Sequence, residues 1–139
     1  MSFLMSVMIS ASQMYDVPVW LIQDIAKVES ETCKYMEHKN PDGTFDLGCM
    51  QVNTKTAKAF GFDVYKLKHD KAYSIYAGVY ILSRFKNKHQ KHSLDYSWVC
   101  YYNTGDARMN KSRKKACNVY QTKLIKLRGN VYGTKLAVN

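Results

Sequence analysis

The apolar positions of this chain fall into a series of helix-period runs separated by short polar breaks. Phe3, Leu4, Met5, Val7, Met8 and Ile9 predict a first helix running to about Tyr15. Asp16-Val17-Pro18 predicts the start of a second, because proline suits the first helical turn. Within Pro18–Ser30, Leu21, Ile25 and Val28 share one stripe, and Ile22, Ala26 and Glu29 share another. Asn40-Pro41-Asp42-Gly43-Thr44 is a turn signal, and the roughly alternating Phe45–Val52 that follows predicts a short strand or irregular β segment. Thr54–Phe60 predicts a helix stopped by Gly61. Lys71–Phe85 predicts another, carrying Ala72, Ile75, Tyr76, Val79, Tyr80 and Leu82. Ser93–Tyr102 predicts the next, ended by Asn103-Thr104-Gly105-Asp106, and Lys111–Arg128 the last, with Ala116, Val119, Tyr120, Leu124 and Leu127 facing inward.

No internal repeat or linker interrupts this pattern, and 139 residues suit one domain with one core. The chain is 46% apolar and 23% charged, as in ordinary folded proteins, and its 7 Gly and 2 Pro argue against a disordered or collagen-like chain. The apolar stretches are far shorter than the ~20 residues of a membrane span. The N-terminal apolar patch lacks a basic flank and an Ala-x-Ala-like site, so it reads as a helix rather than a signal peptide.

Charge changes the picture more. The 21 Lys/Arg exceed the 11 Asp/Glu, giving a net +10. Residues 1–65 hold five basic and eight acidic residues, net −3; residues 66–139 hold sixteen and three, net +13. Such a surplus points to an anionic polymer as partner: nucleic acid, lipid surface or cell-wall glycan. The carboxylates Glu29, Glu31, Asp42 and Asp46 lie in the acidic half. Cys33, Cys49, Cys100 and Cys117 lack zinc-finger spacing, and either two disulfides in any of three pairings or four buried thiols are open to them. His89 and His92 sit in a Lys-rich segment and read as solvated rather than as metal ligands, so no metal and no cofactor is expected.

Three short motifs stand in order: Glu29-Ser30, Gly48-Cys49-Met50-Gln51 and Tyr101-Tyr102-Asn103-Thr104-Gly105. Together they resemble the lytic transglycosylase domain of the soluble-transglycosylase type, whose pattern runs Glu-Ser, Gly-Leu-Met-Gln, Ala-Tyr-Asn-Ala-Gly. The resemblance spans about Ser12 to Leu127. It implies an α+β, predominantly α, lysozyme-like fold with a small β region over residues 1–139, with 1–11 as an N-terminal helix extension and 129–139 as a tail. It implies cleavage of the β-1,4 bond between N-acetylmuramic acid and N-acetylglucosamine in peptidoglycan, without water, to a 1,6-anhydromuramic end.

Glu29 is the expected acid. Its apolar stripe and the negative end of its helix dipole both disfavour the charged carboxylate, as proton donation requires. The resemblance further implies that Ser30 gives Glu29 a hydroxyl hydrogen bond, that Gly48 lets backbone approach the sugar, and that Met50 and Gln51 line the cleft. It also implies that Tyr102 and Asn103 form the wall that binds sugar amides and that Tyr120 reaches toward the acid. Core packing is the plainer reading of Met50, Tyr102 and Tyr120. Cys49, Tyr101 and Thr104 depart from the family pattern.

Asp46, 17 residues after Glu29, is similar in placement to the second carboxylate of animal-type lysozymes. It would serve a hydrolytic muramidase by stabilising the oxocarbenium-like state; the alternative is an Asp that folds its own loop. Two further readings are a basic nucleic-acid-binding module and a wall-binding protein with little turnover. Only four of the 21 basic residues are Arg, the main base reader, so no nucleic-acid partner is expected. The expected protein is a monomer in the periplasm or envelope, or on a virion. It would act on glycan strands beside a secretion, conjugation or pilus machine.

Overall fold

Ser2 starts the first helix by accepting the Met5 N–H at 3.1 Å, and α1 runs Phe3–Tyr15 as the apolar pattern predicts. The computed structural model describes residues 1–105 and 109–129; the expected tail therefore lies, from residue 130 on, outside the described residues. The chain divides into two compact units, Met1–Tyr80 and the residues from Ile81 on.

In the first unit α1 packs on α2 (Val19–Ser30) through Val7, Met8 and Ala11 on one side and Leu21, Ile22, Ile25 and Ala26 on the other, all buried. Phe3 and Met14 point away and are exposed, which gives α1 its polar-facing side despite their apolar character. Beyond α2 lies a three-stranded antiparallel sheet in the order β1 (Glu37–Lys39), β2 (Phe45–Leu47), β3 (Val52–Asn53). The β1–β2 register pairs Glu37 with Leu47 and Lys39 with Phe45 across the predicted turn. There Asp42 accepts the Thr44 N–H and hydroxyl at 2.9 and 2.6 Å, bonds that hold its carboxyl below the usual range. Asn53 caps α3 (Thr54–Phe60), which Gly61 ends in a left-handed conformation. A short α4 (Val64–His69), capped by Asp63, leads into α5 (Lys71–His89). Ile75, Ala77 and Val79 complete this core.

In the second unit the rest of α5 leads to a 3-10 turn, Ser97–Cys100, then α6 (Tyr101–Thr104) and α7 (Lys111–Arg128). Leu82, Trp98, Val99, Tyr120 and Leu124 are buried here. The expected helix over Ser93–Tyr102 does not form at its start. Asp95 accepts the Ser97 hydroxyl at 2.6 Å, the Ser97 N–H at 3.0 Å and the Lys91 N–H at 3.1 Å, holding the chain in a turn. Burial pushes the Asp95 carboxyl up, but these bonds outweigh it and leave it below the usual range. The face of α7 also differs from the expected one: Ala116, Val119 and Leu127 are exposed, whereas Cys117, Tyr120, Gln121 and Leu124 are buried. The Cys100–Cys117 disulfide turns that face inward.

A second disulfide joins Cys33 to Cys49, so each unit holds one. The bridged residues are 16 and 17 apart, which corresponds to about 3 kcal/mol per bridge from the restricted unfolded chain. Replacing both cysteines of either pair by alanine is expected to lower unfolding free energy by about that amount in urea titrations.

Candidate active site

The last turn of α2 delivers Glu29, half-buried, and Ser30, buried. The helix then stops abruptly. Glu31, Thr32 and Cys33 follow with φ of 48°, 57° and 69°, three consecutive left-handed residues without a glycine. Each such residue costs about 1–2 kcal/mol, and for the β-branched Thr32 the conformation is an outlier. Hydrogen bonds hold the reversal: Glu31 N–H to Lys27 O at 3.1 Å, Thr32 N–H to Ala26 O at 3.0 Å, and the N–H groups of Lys34 and Tyr35 to Ser30 O at 2.8 and 3.0 Å. Strain of this kind persists only where the surroundings over-determine it.

Ser30 is the centre of that over-determination. Its hydroxyl accepts the Cys33 N–H at 2.8 Å and gives its proton to Cys49 O at 2.7 Å, with Ala26 O at 3.1 Å. The hydroxyl bonds of Ser30 are therefore with backbone, and the direct bond to Glu29 implied by the motif is not formed among the described residues. Instead Ser30 fastens the second motif to the end of the helix that carries Glu29. The Cys33–Cys49 disulfide makes the same connection covalently.

The second motif is pinned from its other side too. Cys49 N–H donates to Ser74 Oγ at 3.1 Å, and that hydroxyl donates to Lys71 O at 2.9 Å. Gly48 has φ +85°, and a Cβ there would lie 2.6 Å from Leu67 O and against the Ser74 side chain. The close approach that glycine permits is thus to α4 and α5, where the motif had implied an approach to sugar. Met50 is fully buried and belongs to the core, so it does not line an open cleft. Gln51, half-buried with φ 54°, donates from Nε2 to Gly48 O at 3.0 Å and Tyr35 O at 3.3 Å. Asp46 is half-buried in β2 and accepts Asn53 Nδ2 at 2.9 Å.

In the second unit, Tyr102 is half-buried and Asn103 exposed on α6. Asn103 and the buried Tyr120 line one open cavity of about 340 Å³, together with Lys115, Ala116, Val119 and Lys123 of α7. Two of the residues expected in the second half are thus brought to one surface. The neighbouring Gln121 is fully buried, and neither Nε2 nor Oε1 has a hydrogen-bond partner among the described residues. Ser74 and Asn53, which hold the loop and Asp46, were not singled out by the motifs. Ser74 carries a signal in retrospect, as a small polar residue on the buried side of α5 next to Ile75. Asn53 carries none beyond its suitability as an N-cap.

No curated protein and no solved structure matches the chain. The family model described as the transglycosylase SLT domain matches residues 6–125, a span that contains all three motifs, the strained end of α2 and the loop fastened to it. With most of its 139 residues covered, the chain belongs to this family, the lytic transglycosylases of the lysozyme-like superfamily, which are lyases acting on peptidoglycan.

Proposed function

We propose that the chain cleaves the β-1,4 bond between N-acetylmuramic acid and N-acetylglucosamine, with Glu29 as the single catalytic carboxyl. Glu29 gives its proton to the glycosidic oxygen and the C1–O bond breaks. The Glu29 carboxylate then removes the proton of the muramyl 6-hydroxyl, and that oxygen attacks C1 to close the 1,6-anhydro ring. The proton lost in the first step is regained in the second and no water is consumed. A substrate that supplies its own nucleophile needs no second carboxylate.

The observation that carries this reading is the fastening of the Gly48–Gln51 loop to the end of α2 through Ser30 and the Cys33–Cys49 bridge. It fixes the turn beside Glu29 at the cost of three left-handed residues, which a helix end without a task does not require. Two disulfides also fit work in an oxidising compartment such as the envelope, where peptidoglycan is found. Local opening of the wall for a secretion, conjugation or pilus machine, or for phage entry, is the role we assign to such an activity.

The second reading, a hydrolase, uses Asp46. Its bond with Asn53 supports a part in the β hairpin and sheet, because Asp46 and Asn53 are cross-strand partners. Mass spectrometry of digested peptidoglycan separates the two: anhydro ends are expected, and reducing ends alone would show a hydrolase. Asp46→Asn, which keeps size and one acceptor oxygen, is expected to retain activity within about tenfold, since the effect is limited to one hydrogen bond worth about 1.4 kcal/mol or less.

A further inference from the structure

We infer that the Cys33–Cys49 disulfide is a redox latch on the candidate site: with both sulfurs as thiols the turn beside Glu29 is loose and cleavage slow, and formation of the bridge switches the enzyme on. This rests on the transglycosylase reading and adds a regulation to it. The segment after α2 shows why one bond decides. Glu31, Thr32, Lys34 and Tyr35 are exposed, whereas Cys33 between them is only 4% exposed and its partner Cys49 is fully buried. A surface turn is thus drawn down onto the core by its sulfur. Cys33 itself holds φ 69°, the last of three left-handed residues. Without the bridge, the connection from Cys33 to Cys49 runs through the Ser30 hydroxyl, by the Cys33 N–H at 2.8 Å and Cys49 O at 2.7 Å. The hydrogen bonds that remain are of the same order as the cost of the three left-handed residues, so the covalent link tips the balance.

The second disulfide gives the internal comparison. The two bridges join residues 16 and 17 apart and so restrict the unfolded chain about equally. They differ in what they tie together. Cys100–Cys117 ties the 3-10 turn to α7 within the second unit. Cys33–Cys49 ties the end of the helix that carries Glu29 to the second motif. The chemistry is thiol–disulfide exchange with a disulfide-bearing oxidant, such as glutathione disulfide or an oxidoreductase. The Cys33 thiolate, on the exposed turn, attacks one sulfur of the oxidant. A mixed disulfide forms, and the other oxidant sulfur leaves and takes up the Cys33 proton. The Cys49 thiolate then attacks Cys33 Sγ, closing the bridge and releasing the remaining oxidant sulfur, which takes up the Cys49 proton. Two cysteine thiols are oxidised and one disulfide is reduced to two thiols. Burial of both sulfurs then shields the bond from thiol attack, so the latch closes on oxidation and stays closed. The chain is idle where thiols are kept reduced and active where disulfides persist.

The test uses the full chain carrying Cys100→Ala/Cys117→Ala, which leaves one bridge to follow. It is refolded from urea in dithiothreitol and then oxidised to graded extents with glutathione disulfide; alkylation and mass spectrometry give the bridged fraction. Turnover of peptidoglycan is measured well below the melting temperature, with circular dichroism on the same samples. kcat is expected to rise in proportion to the bridged fraction. The folded, fully reduced chain is expected to be about 10–100-fold slower than the bridged one, the scale of loss for a displaced catalytic group. Amide hydrogen exchange at Cys33, Lys34, Tyr35 and Cys49 is expected to speed up on reduction while that of α1 stays unchanged. Cys33→Ala/Cys49→Ala is expected to show the same low kcat with and without reductant, and Cys100→Ala/Cys117→Ala to keep the wild-type kcat within about twofold. Turnover of the folded reduced chain within about twofold of the bridged one overturns the inference. So do unfolding of the whole chain on reduction and an equal loss of kcat in the Cys100/Cys117 variant, because either would make the bridges general stabilisers. Faster exchange at the turn on reduction, with no cleavage by the bridged chain, would leave the release of the turn in place and overturn the transglycosylase reading alone.

Discussion

Glu29→Gln is expected to abolish measurable cleavage of peptidoglycan, a loss of about 10²–10⁴-fold at least, with thermal unfolding unchanged. The amide keeps the size and the hydrogen-bonding character of the side chain but cannot give up a proton to a leaving oxygen or remove one from a hydroxyl. Both half-reactions fail together, which is why the loss falls at or above the range for a single general acid or base. Glu29 is half-buried at the end of α2, outside the set of fully buried core residues, so the substitution opens no cavity. Turbidity assays on purified peptidoglycan measure the rate, and circular dichroism melting measures the fold. Wild-type turnover in this variant would remove Glu29 from its role. If Glu29→Gln is inactive while Asp46→Asn is active, one carboxyl does the chemistry; equal loss in both points to the two-carboxylate hydrolase.

The second large effect concerns stability rather than chemistry. Gly48→Ala is expected to lower unfolding free energy by about 2–5 kcal/mol, the sum of a left-handed residue with a Cβ and an overpacked site. The new methyl would lie 2.6 Å from Leu67 O, a backbone atom of α4 that cannot swing aside as a side-chain tip could. Gly43→Ala is the control. Gly43 has nearly the same φ, +88°, but open space where the methyl would go. It is expected to cost about 1–2 kcal/mol, the conformational part alone. The difference between the two urea midpoints isolates the collision. Against a typical total of about 5–15 kcal/mol, a loss of this size is a large fraction of the stability.

How much of this could be read from the chain depends on the range of the forces involved. α3 was legible to the residue because the Thr54–Phe60 pattern and the Gly61 stop are local signals. α4 was not, since six residues with Val64, Tyr65 and Leu67 as apolar markers are too few to show a period. β1 is exposed along its whole length, so Glu-His-Lys shows no alternation, and only its pairing with β2 makes it a strand. The end of α5 ran four residues past Phe85 because Lys86, Lys88 and His89 favour the negative end of the dipole, a stabilisation that apolar periodicity does not register. For the candidate site, the fold fastens the segments of the first two motifs together, but the contacts of several members differ from those the motifs implied. The resemblance implied Gly48 and Met50 at the substrate and Ser30 bonded to Glu29, yet all three are engaged inside the first unit, Gly48 by α4 and α5, Met50 by the core and Ser30 by backbone. A motif marks positions where substitution is costly; it does not distinguish a residue that touches the sugar from one that holds the residue that does.

The bonds of Ser30 to Cys49 and of Cys49 to Ser74 join positions 19 and 25 residues apart. These are contacts whose loop-closure cost must be met before they stabilise anything. During synthesis Glu29 leaves the ribosome well before Ser74 does. α1 and α2 can form from local signals as they emerge, but the Gly48–Gln51 loop has no seat until α4 and the start of α5 are present. The geometry around Glu29 is therefore among the last features of the first unit to assemble, and a nascent or truncated chain ending short of Ser74 carries Glu29 without the seat of the loop beside it.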